Sequence, residues 1–272
     1  MPESQYCNIE HVARTASLSF DWRTTPMSMF TACFDASGTD DNQPCVVVAG
    51  FIANAGDWQQ FDIEWKATLA KENIPYFHMK EFNNPNSKMY KGWTETKRRE
   101  FFARLLEIIT RNTYRKFGIV IISEWFSSLP VTTKELTRLE NAYALAGTLA
   151  ASTVRRWLQE SNHPPDRLEL VFENGDLGKQ FLIAGLESKG FSHPIFREKK
   201  DRTIKGFLHN AWTPLQAADI LAYEWYKHVK TLAGVWPHFE GTLRWPLQEL
   251  NRIPGELSGA APKAPRSSCF RN

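Results

Sequence analysis

A chain of 272 residues that is 42% hydrophobic and 23% charged has enough apolar side chains for a large core, which excludes wholesale disorder. Its net charge of +3 permits contact with nucleic acid without demanding it, because the informative signal is a clustered patch and not a total. No apolar run reaches membrane-spanning length and residues 1–25 lack the apolar stretch of a secretory signal, so a cytoplasmic location and no membrane partner are expected.

Residues 29–35 alternate, with Phe30, Ala32 and Phe34 on one side and Thr31, Cys33 and Asp35 on the other, the period of a strand. Turn formers fill 37–44, and the apolar run 45–53 predicts a second strand, so the two read as a hairpin. Trp58, Phe61, Trp65 and Leu69 recur at helical spacing within 56–73. A short apolar segment, 74–78, and a polar loop, 83–91, precede a helix that starts near Thr94 and carries Phe101, Leu105, Ile108 and Ile109. Residues 117–122 predict a third strand.

Thr132 and Glu135 have capping-box spacing at the head of a long helix, whose apolar stripe runs through Leu136, Leu139, Tyr143, Ala146, Ala150, Val154 and Trp157. Residues 168–172 predict a fourth strand ending at Glu173 before an Asn-Gly turn. A short helix (about 179–189) and a strand near 194–198 follow. The last helix opens at Thr213-Pro214-Leu215-Gln216, a second capping-box pattern with Pro at the first helical position. Beyond Pro254 the composition turns to Pro, Gly, Ala, Ser and Lys, which predicts a disordered tail. The expected organisation is an extension (1–28), one α/β domain (29–253) with a helical insertion (about 54–112), and the tail (254–272).

The four cysteines, Cys7, Cys33, Cys45 and Cys269, form no CxxC pair and have no His partner at zinc-finger spacing. Cys33 and Cys45 fall in strand-like runs, where a free thiol behaves as a small hydrophobe and a reducing compartment is the simplest inference.

Three stretches carry a family resemblance. Phe34-Asp35-Ala36-Ser37-Gly38-Thr39 resembles the Asp-Glu-Ser-Gly signature of the bacterial and phage family known as domain of unknown function 3800. His78-Met79-Lys80-Glu81 resembles its His-x-x-Glu segment, and Gln216-Ala217-Ala218-Asp219 its Gln-x-x-Asp helix. The order is preserved over about residues 29–228. The resemblance implies a ribonuclease H-like fold, here a mixed five-stranded sheet with flanking helices and the insertion after its second strand. It also implies a nuclease that uses two divalent ions, Mg2+ or Mn2+, held by carboxylates from the first strand, the end of the fourth strand and the last helix. Those places hold Asp35, Glu173 and Asp219, the expected catalytic and metal-binding residues. One departure is Ala36, which stands where the family has Glu; alternation points it away from Asp35.

Each candidate competes with a plainer role. Asp35 before Ser-Gly-Thr is ordinary turn chemistry. Glu173 is also what a solvated strand end looks like, and Asp176, three residues on, is a secondary candidate that competes with it for the ligand role, against the N-cap of the next helix. Asp219 shares a stripe with Leu215, Ala222 and Tyr226, so its charge faces the protein body and requires either a metal or a buried basic partner. Gln216 reads as the capping-box residue. His78 and Glu81 are secondary candidates for proton transfer or a second ion, against a surface polar pair. Glu140 reads as a solvent-facing charge.

Lys199, Lys200, Arg202 and Lys205 form a basic segment before the last helix, fit to hold a nucleic-acid backbone, although Glu198 and Asp201 dilute it. Lys88, Lys91, Trp93, Lys97, Arg98 and Arg99 interleave charge with aromatic surface as a second such face. The sequence therefore predicts a metal-dependent nuclease, with two rivals. One is a catalytically weakened module that binds nucleic acid or a protein partner. The other is an assembly protein using Trp236, Phe239 and Trp245, with homo-oligomerisation left open.

Overall fold

The computed structural model describes residues 30–40, 42–130, 141–164, 167–175, 178–204, 207–232 and 243–260. β1 (Phe30–Ser37) and β2 (Cys45–Asn54) form the expected hairpin, with Asp35 opposite Ala49. β2 pairs antiparallel with β3 (Arg115–Ile122). On the other side of β1 lies β4 (Leu168–Glu173), parallel to it, and then β5 (Ile195–Arg197), parallel to β4. β6 (Arg202–Ile204) and β7 (Phe207–His209) form a separate ribbon.

The sheet has six strands, not the five read from the sequence, in the order β5-β4-β1-β2-β3-β8. The sixth is β8 (Gly255–Ala260), parallel to β3 and drawn from the stretch expected to be a disordered tail. Its Gly- and Ser-containing sequence has little strand propensity, but an edge strand is held chiefly by its backbone ladder. Gly255, at φ 147°, comes so close to β3 that a Cβ there would stand 1.8 Å from the Lys116 carbonyl oxygen. The Lys116 N–H donates to the Pro254 carbonyl at 2.9 Å, and its buried ammonium donates to the Ile253 carbonyl.

Helices cover both faces, which is why β2 is buried from Cys45 to Ala53 and reads as one apolar run. Alternation divides the sheet residues. Phe30, Ala32, Phe34, Val46, Val48 and Phe172 pack with α5 (Ala142–Glu160) and α6 (Lys179–Ser188). Cys33, Val47, Ala49, Phe51 and Val171 pack toward α1 (Ala55–Lys71), α3 (Glu95–Asn112), α7 (Thr213–Leu232) and α8 (Trp245–Leu250). Each fully buried large apolar side chain contributes roughly 1.5–3 kcal/mol, so both layers are needed.

Between β2 and β3 run α1, α2 (Met79–Phe82), a 3-10 turn (Lys88–Tyr90) and α3, the helical insertion. α4 (Ser123–Ser128) follows β3. Asn54 caps α1 and Thr94 caps α3, accepting from Asp57 N–H at 2.8 Å and Lys97 N–H at 3.2 Å. α5 is described from Ala142, capped by Asn141; the Thr132–Glu135 pattern, Leu136, Leu139 and Glu140 lie outside the described residues. No helix among the described residues is long and apolar enough to cross a membrane.

Candidate functional site

Phe34 and Phe172 are register partners on β1 and β4, so Asp35 and Glu173 are the next residues on adjacent parallel strands. Both share the parity of Cys33 and Val171, which aims them at the α7 side. They stand at the C-terminal ends of these strands, where open α/β sheets leave a crevice for ligands. Ala36 has the opposite parity and packs into the other core layer. Just beyond, Gly38 adopts φ +78°, and a Cβ there would stand 2.6 Å from the Tyr226 ring, so the turn after Asp35 is pressed against α7.

α7 supplies Asp219, which is 4% exposed. The three carboxyls meet at one atom, the ammonium nitrogen of Lys199. Its distances are 2.7 Å to Asp35 Oδ2, 2.9 Å to Glu173 Oε2 and 3.1 Å to Asp219 Oδ1. Since each oxygen lies within 3.1 Å of one nitrogen, no two can be farther apart than twice that. Two backbone amides fix the outer oxygens: Ala36 N–H donates to Asp35 Oδ1 at 2.8 Å, and Met79 N–H to Asp219 Oδ2 at 2.6 Å.

Lys199 was expected on an exposed, phosphate-gripping loop, and the structure corrects this. It is 9% exposed and at the centre of the acids. Alternation explains the placement. Arg197 pairs with Glu173 across β5 and β4, and the next residue of the same parity beyond the strand is Lys199. Asp219 therefore has the buried basic partner that competed with a metal in the sequence reading.

The charges do not balance: three carboxyls face one ammonium. Burial pushes the Glu173 carboxyl up to about 9, and the neighbouring Asp35 charge pushes the same way against the pull of Lys199. Burial would raise Asp35 too, but the Lys199 charge and hydrogen bonds from Glu173, Lys199 and Ala36 leave it below the usual carboxylate range. The two carboxyls therefore titrate as a pair, with Glu173 pushed up and Asp35 held down. Asp219 is raised by burial, with Lys199 opposing and Asp35 reinforcing. Lys199 is held well above its ordinary value: burial acts downward and is outweighed by Asp35, Asp219 and Glu173.

Gln216 does more than the helix-capping part its spacing predicts. It is 1% exposed, and its Oε1 accepts from Trp65 Nε1 at 2.8 Å and from Phe77 N–H at 2.9 Å. Its Nε2 donates to the Lys199 carbonyl at 2.7 Å. One amide therefore ties α1, the segment before α2 and the lysine's backbone to α7. Thr213, its capping-box partner, instead donates to Asp62 Oδ1 at 2.6 Å.

His78 lies at the rim, with Nε2 3.8 Å from Asp219 Oδ1 and Nδ1 3.8 Å from Glu81 Oε1. Tyr76 donates to Glu81 at 2.6 Å, a hydrogen bond that, after burial, helps push the phenol up to about 12. Lys200 is exposed, with its nitrogen 5.5 Å from the centre of the Tyr76 ring. Arg202 is in β6 and its side chain is not described; Asp176, Lys205, Trp236 and Phe239 lie outside the described residues.

Cys33 and Cys45 are free and buried, and burial raises both thiols, that of Cys45 to about 11. Among the described residues, no group of three or more His, Cys, Asp or Glu side chains stands ready to hold a metal ion. Asp35, Glu173 and Asp219 converge on an ammonium instead. No family model, curated protein or solved structure matches the chain.

Proposed function

We propose that the chain is a divalent-metal-dependent nuclease that hydrolyses phosphodiester bonds of DNA or RNA on a ribonuclease H-like sheet. The reading rests on one observation: carboxyls from β1, β4 and α7 all reach a single cation within 3.1 Å. The topology is compatible with it, since three antiparallel strands are followed by two parallel to the first, in the order β5-β4-β1-β2-β3 within the larger sheet.

As arranged, the three acids hold the Lys199 ammonium; with the lysine drawn aside, their all-oxygen donor set would suit Mg2+ or Mn2+. Asp35, Glu173 and Asp219 would hold the ions. When bound, such ions lower the pKa of water and offset charge developing on the leaving oxygen. The chain's own part is to keep the oxygens in place through the Ala36 and Met79 amides. Glu173, raised in the metal-free site, would have to be ionised to serve as a ligand. Lys199 exchanges its carboxylates for a phosphate oxygen. His78, beside Asp219 and Glu81, is placed to pass a proton at the rim.

A second reading rests on the same lysine. If Lys199 is a permanent partner, the domain grips nucleic acid or a protein without cutting, and Ala36 in place of an acid agrees with that. The test is cleavage of labelled single- and double-stranded DNA and RNA with Mg2+, Mn2+ or EDTA, for wild type and Asp35→Asn. Metal-dependent cleavage lost in the variant is the expected result. Salt-sensitive binding with no cleavage selects the second reading, and neither binding nor cleavage rejects both.

A further inference from the structure

A cavity of about 890 Å³ opens between the 3-10 turn, α3 and the start of α8. That volume suits a ligand of nucleotide size. Four basic side chains line it, Lys91, Arg98, Arg99 and Arg244, against two acids, Glu95 and Glu224. Glu224 is 1% exposed and already engaged: Arg244 Nε donates to its Oε2 at 2.6 Å. The effect is to aim Arg244, whose side chain stays 41% exposed. Arg98 is fixed as well, by donation to the Phe82 carbonyl and by its position 5.4 Å from the Tyr90 ring centre. Two guanidiniums are therefore ordered before any anion arrives, which lowers the entropy cost of binding one.

Aromatic surface shares the same walls. Trp93 and Trp245 are partly exposed there, with Lys97 4.4 Å from the first ring and Arg99 5.5 Å from the second. Tyr90 is 1% exposed, yet its hydroxyl has no hydrogen-bond partner among the described residues. That oxygen is shielded from solvent, and the charges that act on it after burial include Glu81 and Asp219, so it faces the acids and not a ligand in the cavity. Anchored cations and indole faces match two parts of one ligand, phosphate and base.

We infer that this cavity binds a nucleoside phosphate. The guanidiniums and Lys91 take the phosphate, and Trp93 or Trp245 stacks on the base. Phe82 lines the cavity at one end of α2, and the Met79 amide at the other end holds Asp219. The cavity and the acids are thus joined by a single helical turn. The binding does not depend on the proposed hydrolysis.

Tryptophan fluorescence of the full chain in EDTA at low salt tests this, with AMP, inorganic phosphate, a 5′-phosphorylated oligothymidylate and its unphosphorylated counterpart as probes. AMP or the phosphorylated oligonucleotide should bind at least about tenfold more tightly than inorganic phosphate. Lys91→Ala, Arg99→Ala and Arg244→Ala should each weaken binding by a similar factor and flatten its salt dependence. Equal affinity for both probes identifies a free nucleotide as ligand, and a large preference for the phosphorylated oligonucleotide identifies a strand end. No binding by either, affinity no better than for inorganic phosphate, or an unphosphorylated oligonucleotide binding equally well overturns the proposal. So does affinity unchanged in the Lys91→Glu/Arg99→Glu double variant, whose two sites are both exposed. Because metal is absent throughout, failure here leaves the nuclease reading standing, and the reverse also holds.

Discussion

Lys199 Nζ and Asp35 Oδ2 lie 2.7 Å apart across a sequence separation of 164 residues. The pair is buried, and its partners outnumber it in negative charge, so the lysine stands where any other cation would have to go. Removal of the lysine is therefore the most direct probe of the site.

Lys199→Ala leaves three buried acids with no counter-charge. In EDTA at pH 8 the variant should lose about 3–5 kcal/mol, the usual cost of breaking a buried pair from one side. Without the ammonium Glu173 and Asp219 rise further and Asp35 loses the charge that holds it down, so the raised acids favour folding at pH below their unfolded values and oppose it as pH climbs. The deficit should shrink toward pH 5, and magnesium should raise the melting temperature more in the variant than in wild type. A variant that melts like wild type at pH 8, with or without magnesium, contradicts this account of the lysine.

Asp219→Asn removes one acid yet leaves Lys199 with Asp35 and Glu173, and the amide oxygen can still accept from Met79 N–H. Metal-free stability should stay within about 1 kcal/mol of wild type. Metal-dependent stabilisation and cleavage should disappear. A loss above about 3 kcal/mol in EDTA makes Asp219 a structural ion-pair partner instead.

Glu169 makes a prediction in pH. It neighbours Thr31 in the sheet register, and its Oε2 is buried without a hydrogen-bond partner among the described residues. Burial pushes it up to about 7, with Arg197 opposing. A raised acid stabilises the fold below its unfolded pKa, near 4.5, and that stability is lost as pH rises through about 7. Glu169→Gln should therefore flatten the stability profile between pH 5 and 8. At pH 8 it should be about 1–3 kcal/mol more stable, relative to wild type, than at pH 4.5. Parallel profiles for the two proteins would show that Glu169 does not titrate in this range.

Gln216→Ala strips a partner from Trp65 Nε1, Phe77 N–H and the Lys199 carbonyl together. Stranded buried groups cost about 1–3 kcal/mol each, less any water that enters, so a loss of at least about 3 kcal/mol is expected in denaturant unfolding. A loss below about 1 kcal/mol would reduce Gln216 to the capping residue its spacing suggests.

Much of this is legible in the sequence because two periods carry it. Alternation in 29–35 assigns Asp35 and Ala36 to opposite faces, and the stripe through Leu215 and Ala222 turns Asp219 inward. Lys199 was misplaced because its neighbours Glu198, Lys200 and Asp201 give it the composition of a solvated loop. Only the register of β5 on β4 reveals which way it points. Gln216 was undervalued for a related reason: capping-box spacing is a local signal, while its three partners come from distant parts of the chain. β8 was missed because its hydrogen bonds are made by backbone, which no side-chain pattern records.

That sixth strand bears on how the chain matures. β3 is hydrogen-bonded on one side by β2 soon after both are synthesised, but Lys116 must wait for Gly255 before its other side is covered. At translation rates of about 5–20 residues per second the interval is on the order of ten seconds. Throughout it a strand of Val and Ile presents open N–H and C=O groups, a template for pairing with any neighbouring nascent chain. Slow dilution during refolding, or chaperone cover during synthesis, should therefore raise the yield of native protein. Truncation before residue 255 should turn a transient hazard into a permanent one.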